Sequence, residues 1–339
     1  MQDVDHSPTR RARLGAAPAT VLTALMATLA LAIAGAAGAQ GYPAKPIRVL
    51  SEYNAGAGGD VFFRTLSTPL AAATEQQWII DNRAGAGGLV AVQAAMRSPA
   101  DGYTLLIASQ NVPVTRRYLS RAKPIEPNSD LSPISALWRT TLVIASHPSF
   151  QAKSLKELIA YARSNPGKVS YGTSGIGTQA HFAGANLAIL SGTALTHVPY
   201  SNNRQVIDVV AGDVPVCINI VSPVLPHVSS GRLRPLAIAG YKRLEVLPNV
   251  PTVSEVVPKF EPPPTWTGLF GPAGLPGNVV ARLNAAVAKA VATPELRAKA
   301  TADGFELIGN SAQEFAAQLP RDIDVAGRLA RAARVEPTD

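Results

Sequence analysis

The chain has 339 residues, of which 47% are hydrophobic and 16% are charged. This length and composition provide for a sizeable core and favour two domains, and they exclude a wholly disordered chain. The formal net charge is +8 at pH 7, but the basic residues are spread along the chain without a long basic block. The charge pattern therefore predicts no nucleic-acid partner and favours anionic ligands through a diffuse positive field.

The N-terminal segment predicts export. Arginines between positions 10 and 13 precede an acid-free stretch, 14–38, that is rich in Ala and Leu and ends in small residues. We predict a signal peptide over residues 1–39, cleaved near Ala39, and an exported, extracytoplasmic mature protein. A membrane anchor is the alternative, because the stretch is near the length of a span, although its Ala and Gly content favours cleavage. The arginines match a twin-arginine signal only in part, which leaves both export routes open.

The residue types that commonly hold metals or disulfides are sparse. Cys217 is the single cysteine, and it lies in the apolar run Val216-Cys217-Ile218. A lone cysteine has no internal disulfide partner, and this setting predicts a buried, inert thiol. The five histidines are scattered without metal-ligand spacing, so we expect neither a metal nor another cofactor.

The first part of the mature chain alternates strand-like and helix-like segments. In chain order we predict a strand at 47–50, a helix at 61–73, a strand at 78–80, a helix at 89–96 and a strand at 104–108. This βαβα order indicates a mostly parallel sheet covered by helices.

The same order repeats after Ser154, which is expected to cap a helix. In chain order we predict a helix at 155–163, a strand at 168–171, a helix at 179–190, strands at 196–199, 216–220 and 235–239, and helices at 279–292 and 312–333. A proline-rich stretch, 258–264, is interpreted as a crossing between two units. We therefore predict two α/β domains, residues 40–142 with 265–339 and residues 143–264, with a ligand cleft between them.

Three glycine-rich loops, at 55–60, 85–88 and 175–178, connect expected strands to expected helices. Such a loop exposes backbone N–H groups at a helix N-terminus, where the helix dipole adds partial positive charge, so it can hold an anion without an arginine. Any one of them alone is equally a plain tight turn. Three at strand ends in one chain indicate an anion site at the carboxyl edge of the sheets.

A nucleotide is disfavoured as that anion. The dinucleotide spacing G-x-G-x-x-G fails because Val61 and Val90 stand where the third glycine belongs. No P-loop lysine follows either loop. A carboxylate is the competing anion.

Hydrolysis is the alternative from another class of function. Ser174 lies in a stretch that begins like a nucleophile elbow, but Ile176 occupies the position of the second glycine. No spacing ties His181, His197 or His227 to Ser174 as a base. A secreted serine-dependent hydrolase therefore stays open as the alternative to a binding protein.

Six short motifs occur in an order that is typical of one family. They are Tyr42-Pro43-x-Lys45-Pro46-Ile47-Arg48, Asn82-Arg83-x-Gly85-Ala86-Gly87-Gly88, Asp101-Gly102-Tyr103-Thr104-Leu105-Leu106, His197-Val198-Pro199-Tyr200, Pro251-Thr252-Val253-x-Glu255 and Gly268-Leu269-Phe270-x-Pro272-Ala273-Gly274. Together they resemble the Bug-type periplasmic solute-binding receptors of tripartite tricarboxylate transporters, from Tyr42 to the C-terminus.

The resemblance implies a two-domain periplasmic binding protein fold of type II-like architecture, with mostly parallel sheets flanked by helices and a cleft that closes on a small carboxylate. It implies a monomeric receptor that is not an enzyme and that delivers its ligand to a membrane permease of the tripartite tricarboxylate type. A ligand sensor without a transport role is the alternative within the family.

Carried onto this chain, the resemblance implies ligand contacts mainly through backbone N–H groups and ordered waters. The expected contact residues are Ala55, Gly56, Ala57, Gly58, Gly59, Asp60, Gly85, Ala86, Gly87, Gly88, Ser109, Gln110, Gly175, Gly177, Thr178, His181, Tyr200 and Asn219. Asp60 stands at a helix start, where it can equally be an N-cap.

The sequence departs from the family pattern at informative places. Gly59 replaces a hydroxyl residue, which removes one side-chain donor, and Asn219 replaces an aspartate suited to a ligand amino group. Ser201-Asn202 replaces Lys-Gly, which removes a charge. Of these departures, the neutral Asn219 favours a plain or aromatic carboxylate over an amino acid as the ligand.

Overall fold

The computed structural model describes residues 41–200 and 204–338. The expected signal peptide, residues 1–39, and the Ser201-Asn202 pair lie outside these residues. Both sheets belong to the unit that begins at Lys45.

Strands and helices alternate along this unit, with several elements beyond those predicted. The strands are β1 (Ile47–Ser51), β2 (Trp78–Asn82), β3 (Thr104–Ser109), β4 (Leu131–Thr140), β5 (Leu142–Ser146), β6 (Val169–Thr173), β7 (Leu195–Pro199), β8 (Val216–Ile220), β9 (Arg234–Ala239), β10 (Trp266–Pro272) and β11 (Phe305–Leu307). The α-helices are α1 (Gly58–Thr74), α2 (Leu89–Met96), α3 (Leu155–Ser164), α4 (Gln179–Ser191), α5 (Gln205–Ala211), α6 (Val221–Ser229), α7 (Val253–Val256), α8 (Gly277–Val291), α9 (Pro294–Asp303) and α10 (Ala312–Ala332).

The strands form two sheets. The first has the order β11-β4-β10-β3-β1-β2 and the second has the order β7-β6-β8-β5-β9. In the first sheet β1 pairs in parallel with β2 and β3, and in the second β6 pairs in parallel with β7 and β8. The expected α/β class, with two sheets flanked by helices, is confirmed.

The sheets are mixed rather than mostly parallel as expected, because β4 and β10 in the first sheet and β5 in the second each run antiparallel to both neighbours. β10 is antiparallel to β3 and β4, and β5 is antiparallel to β8 and β9. Both strands are the first that the chain forms after it crosses from the other sheet, β5 directly after Thr141 and β10 after the proline-rich stretch 258–264. A strand that pairs in parallel with the preceding strand of its sheet needs a crossover connection on that sheet. The chain instead enters β5 and β10 directly from the other sheet.

Each sheet packs its own apolar core. Leu50, Leu106 and Phe315 belong to the core beside the first sheet, and Ile144 and Leu187 belong to the core beside the second. Burying a side chain of this size contributes roughly 2 kcal/mol relative to leaving it in water. The sheets are therefore rigid supports for the loops at their ends.

Two local expectations, the Ser154 cap and the buried Cys217 thiol, are met by the side chains. Ser154 caps α3 by accepting the Glu157 N–H. Trp266 is buried in the first core, and its indole N–H donates to Asp322 Oδ2 at 2.6 Å. Cys217 is a free, fully buried thiol, and burial raises its pKa. Within the described ranges, no helix combines the length and apolarity needed to cross a membrane.

Candidate functional site

The expected anion loops lie at the carboxyl ends of parallel strands. The first loop follows β1, the second follows β2 and the third follows β6. Between the two sheets lies a cavity of about 470 Å³, the cleft cavity, lined by Ser109, Gln110, Gly177, Thr178 and Asn219 among others. The structure thus brings predicted residues from both sheets to one space.

A second cavity of about 500 Å³ adjoins the cleft cavity on the side of the first sheet. Its lining includes Glu52, Gly85, Gly87 and Gly88. Because Tyr53 and Asn111 line both spaces, the two cavities meet at these side chains. We call the second one the loop cavity.

A further groove of about 450 Å³ lies between residues 242–246 and 297–307. None of the residues predicted to bind the ligand lines it. It also lacks the glycine loops, so it is a poorer candidate for the anion site.

Asp60 holds the first loop together from inside. Its side chain is almost fully buried, and its oxygens accept the Gly56 N–H at 2.9 Å, Arg64 Nε at 2.9 Å and Asn82 Nδ2 at 2.8 Å. Burial alone would raise the pKa of Asp60, but these hydrogen bonds outweigh it and hold that pKa below its usual range. Asp60 is not an N-cap, since Ala57 occupies that position of α1.

Gly59 lies against an aromatic ring. A Cβ at this position would lie 2.6 Å from Cζ of Tyr53, and the Tyr53 hydroxyl is 2.6 Å from Thr267 Oγ1. The Tyr53 ring therefore leaves no space at position 59 for the hydroxyl residue that the family pattern has there. The N–H groups of Gly58 and Gly59 open α1 and have no acceptor within the helix.

The second loop has an unusual backbone. Gly85, Ala86, Gly87 and Gly88 all have positive φ, at 137°, 47°, 65° and 101°. Only glycine adopts such a run without a steric penalty. Asn111 Nδ2 donates to the Gly87 carbonyl at 2.7 Å and so ties the loop to the segment after β3.

The third loop opens α4 and is supported by its own side chains. Thr178 caps α4 by accepting the His181 N–H at 3.3 Å, and it donates to the Gly175 carbonyl at 2.8 Å. Gly177, with φ of 74°, donates its N–H to His181 Nδ1 at 3.2 Å. A Cβ on Gly177 would lie 2.6 Å from Leu119, so this loop meets a residue that follows β3.

His181 and Tyr200 lie behind the third loop, and neither lines the cleft cavity. His181 is buried, and burial lowers its pKa. The Tyr200 ring packs against Gly172, where a Cβ would lie 3.2 Å from it. Both residues therefore support the loop in this structure, and Asn219 reaches the cavity while its Oδ1 accepts the Ile220 N–H at 2.8 Å.

Ser174 lines the cleft cavity without a base. Among the described residues, His197 Nε2 lies 2.6 Å from Thr173 Oγ1, and His181 Nδ1 accepts a backbone N–H, so neither ring is bonded to Ser174. The arrangement needed to activate a serine nucleophile is not present there.

Several cavity residues were not predicted from the sequence. Glu52 and Tyr53 lie between β1 and the first glycine loop, and that position is the only signal that could have found them. Thr267 reaches the site from β10, and Asn111 follows Ser109 and Gln110 at the end of β3. Ile176 lies in the third loop with 66% of its surface exposed.

Two mixed sheets flanked by helices, joined by two crossings and with glycine loops around a shared cleft, form the fold of the periplasmic solute-binding proteins. The chain belongs to the tripartite tricarboxylate transporter family receptors, which it matches over residues 62–333. Proteins of this family and the similar solved structures are binding proteins rather than enzymes.

Curated and solved relatives agree with this membership. Protein BugT of Bordetella pertussis is 33% identical over 271 residues, which is 79% of this chain and 81% of BugT. The structure of R. palustris Rpa4515 with adipate is 28% identical with a TM-score of 0.75, over 88% of this chain and 100% of that one. MatC from Rhodopseudomonas palustris with bound malate is 25% identical with a TM-score of 0.70, over 85% of this chain and 100% of that one.

Proposed function

We propose that this protein is a monomeric, non-enzymatic receptor that captures a small carboxylate between its two sheets and delivers it to a tripartite tricarboxylate-type permease. The observation that carries the proposal is the meeting of loop N–H groups from both sheets around adjoining cavities. We propose that the units that close on the ligand are residues 40–142 with 265–339 and residues 143–264.

The lining favours an anion of low charge. Among the described residues that line the two cavities, none is Lys or Arg. The ligand's charge is therefore held by backbone N–H groups and by neutral side-chain amides such as those of Asn111 and Gln110. Neutral donors of this kind hold one or two carboxylates better than three, because each further charge must be desolvated without a cation.

The lining also favours an apolar ligand body. Leu119, Leu142, Ile176 and Ile220 line the cleft cavity, and the exposed Ile176 gains burial when a ligand covers it. One structural relative holds adipate and another holds malate. We infer that this receptor prefers a ligand with an adipate-like or aromatic body to a hydroxylated one such as malate.

A calorimetric panel of adipate, malate, citrate, benzoate and aspartate tests the proposal. Binding of adipate or benzoate, with weaker binding of citrate and aspartate, is the expected result. Ile176→Ser should weaken the apolar ligands by on the order of tenfold, because the lost burial is about 1–2 kcal/mol. Ile189→Ser is the matched control, since Ile189 is also exposed but lies on α4 outside the cavity lining. A panel without any bound carboxylate would overturn the proposal.

The non-enzymatic role and the delivery step need separate tests. Ser174→Ala should leave carboxylate affinity within about twofold, since Ser174 has no activating base, and ester substrates should show no turnover with either protein. Loss of labelled-ligand uptake in cells that lack this receptor would support delivery to a permease. Unchanged uptake with an altered transcriptional response would instead indicate a sensor.

A further inference from the structure

Glu52 is an acidic residue in the wall of a cavity that we assign to an anion. It follows β1 directly and lines the loop cavity together with Gly85, Gly87 and Gly88. Glu52 lies outside the glycine loops. Among the described residues that line the loop cavity with it, none is Lys or Arg.

The two carboxyl oxygens of Glu52 have different surroundings. Oε1 accepts the Ser109 N–H at 2.7 Å. Oε2 is buried and has no hydrogen-bond partner among the described residues. It lies against Gly88, where any Cβ would collide with it. The side chain is therefore wedged between the end of β3 and the second glycine loop.

The charged groups on the surrounding elements are engaged elsewhere. On the second loop side, Arg83 pairs with Asp81 at 3.0 Å. In the first loop Asp60 pairs with Arg64 at 2.9 Å. In the segment after β3, the Arg116 guanidinium donates to the Ala86 carbonyl.

The titratable neighbour on its own segment is the phenol of Tyr53, whose hydroxyl is bound to Thr267. Burial raises the pKa of Glu52 to about 7, against the opposing effect of the Ser109 hydrogen bonds. An orphaned, buried Oε2 is the natural place for the proton, because a neutral carboxyl avoids an uncompensated buried charge.

We propose that Glu52 couples capture of the carboxylate ligand to the uptake of one proton. This inference rests on the proposed function, because it requires a carboxylate at the second glycine loop. Neutral Glu52 leaves the cavity wall uncharged, whereas ionised Glu52 sets a second negative charge beside the ligand. By reciprocity, a bound carboxylate strengthens proton binding by the same factor by which the proton strengthens ligand binding.

The size of the effect follows from the fraction of receptor that carries the proton. If only the neutral form binds, the apparent Kd rises as that fraction falls, and it is about tenfold higher at about pH 8 than at about pH 6. Near pH 7 each ligand bound takes up about half a proton. The pH dependence of the apparent Kd and the number of protons taken up can both be measured without knowing how the rest of the ligand is bound.

The test is isothermal titration calorimetry of the mature protein with adipate and with benzoate between about pH 6 and about pH 8, in pairs of buffers that differ in ionisation enthalpy. The ligand carboxyls are ionised throughout this range, so they add no pH dependence. We expect an affinity loss of about tenfold with rising pH and a net proton uptake in the wild type. Glu52→Gln should remove both effects and keep the affinity of the low-pH wild type. Glu295→Gln, which changes an exposed glutamate on α9, should behave as wild type.

The outcomes separate this inference from the proposed function. Binding that is independent of pH, or a pH dependence that survives in Glu52→Gln, overturns the proton coupling and leaves the receptor function intact. Affinity that rises with pH for aspartate shows instead that ionised Glu52 accepts a ligand ammonium group, and it also overturns the coupling. Absence of binding at every pH overturns the proposed function itself. A melting temperature for Glu52→Gln near that of the wild type establishes that the variant is folded.

Discussion

The imidazole rings of His181 and His197 stack with their centroids 4.0 Å apart and an angle of 12° between their planes. His181 accepts the Gly177 N–H, and His197 contacts the Thr173 hydroxyl, so the pair joins α4 and β7 to the third glycine loop. The His181 ring must be neutral to accept this N–H, and two rings stacked at this distance repel each other when both are charged. Burial lowers the pKa of each, and the neighbouring His181 lowers that of His197 further, to about 4.

This histidine pair should make the protein sensitive to acid. Below the unfolded-state histidine pKa of about 6.5, the unfolded chain binds protons that the folded histidine pair does not bind. The free energy of unfolding therefore falls as the pH drops from about 6.5 towards about 4. The loss due to His197 should be on the order of 2 kcal/mol. Urea unfolding across this range should show a weaker pH dependence in His197→Gln. His147→Gln changes a histidine outside the pair, and it should keep the wild-type dependence. An unchanged pH dependence in His197→Gln would argue against the pair as its source.

Asp60 should be essential to the first loop. Asp60→Ala leaves the Gly56 N–H and the Asn82 amide without their buried acceptor, which should cost about 2–4 kcal/mol of stability and weaken carboxylate binding strongly. Asp303→Ala is the control, because Asp303 forms an exposed i,i+4 pair with Lys299, and such a pair contributes about 0.5 kcal/mol. Chemical denaturation and calorimetry would measure the two quantities. Equal losses of stability in the two variants would contradict the role given to Asp60.

Gly88 should tolerate no side chain. Its φ of 101° is strained for any other residue, and a Cβ would collide with Glu52 Oε2. Gly88→Ala should therefore destabilise the protein by about 1–3 kcal/mol and lower affinity, because the second loop must shift. Gly277→Ala should be neutral or slightly stabilising, since Gly277 opens α8 with free space around it. Thermal melts of both variants, followed by titration with adipate, make the comparison, and a neutral Gly88→Ala would refute it.

Much of the fold could be predicted because the residue patterns that favour a strand or a helix locally also match the burial that the tertiary structure requires. The short apolar runs at 47–50 and 216–220 predict strands, and both form strands in the structure. The helix at 89–96 begins and ends where its pattern predicts. β10 was missed because Gly268, Gly271 and Pro272 obscure its strand pattern. Its position is set by tertiary packing, with Gly268 lying against the Phe315 ring, and packing of this kind overrides local propensity.

From the residues alone, the candidate site was predictable mainly through its glycine loops, while the family resemblance added Ser109, Gln110, Thr178 and Asn219, which line the cleft cavity. Positive φ and helix N-termini leave a trace in sequence, so the three loops could be placed at strand ends. The direction in which a side chain points leaves no such trace in the sequence. Asp60 turns inward to its own loop, His181 and Tyr200 lie behind the third loop, and Thr267 meets Tyr53 across 214 positions of sequence.

Glu52 should also affect the stability of the ligand-free protein, in the opposite direction to the histidines. Its folded pKa of about 7 lies above its usual value of 4.5, so its contribution to stability is fully present below about pH 4.5 and is lost as the pH rises through about 7. Because Gln does not titrate, the stability of Glu52→Gln relative to wild type should increase between about pH 5 and about pH 8, by at most about 3 kcal/mol. Urea unfolding of both proteins at these pH values measures this difference. A difference that stays constant would show that the Glu52 carboxyl titrates alike in the folded and unfolded chains, and the unpartnered Oε2 would then need another explanation.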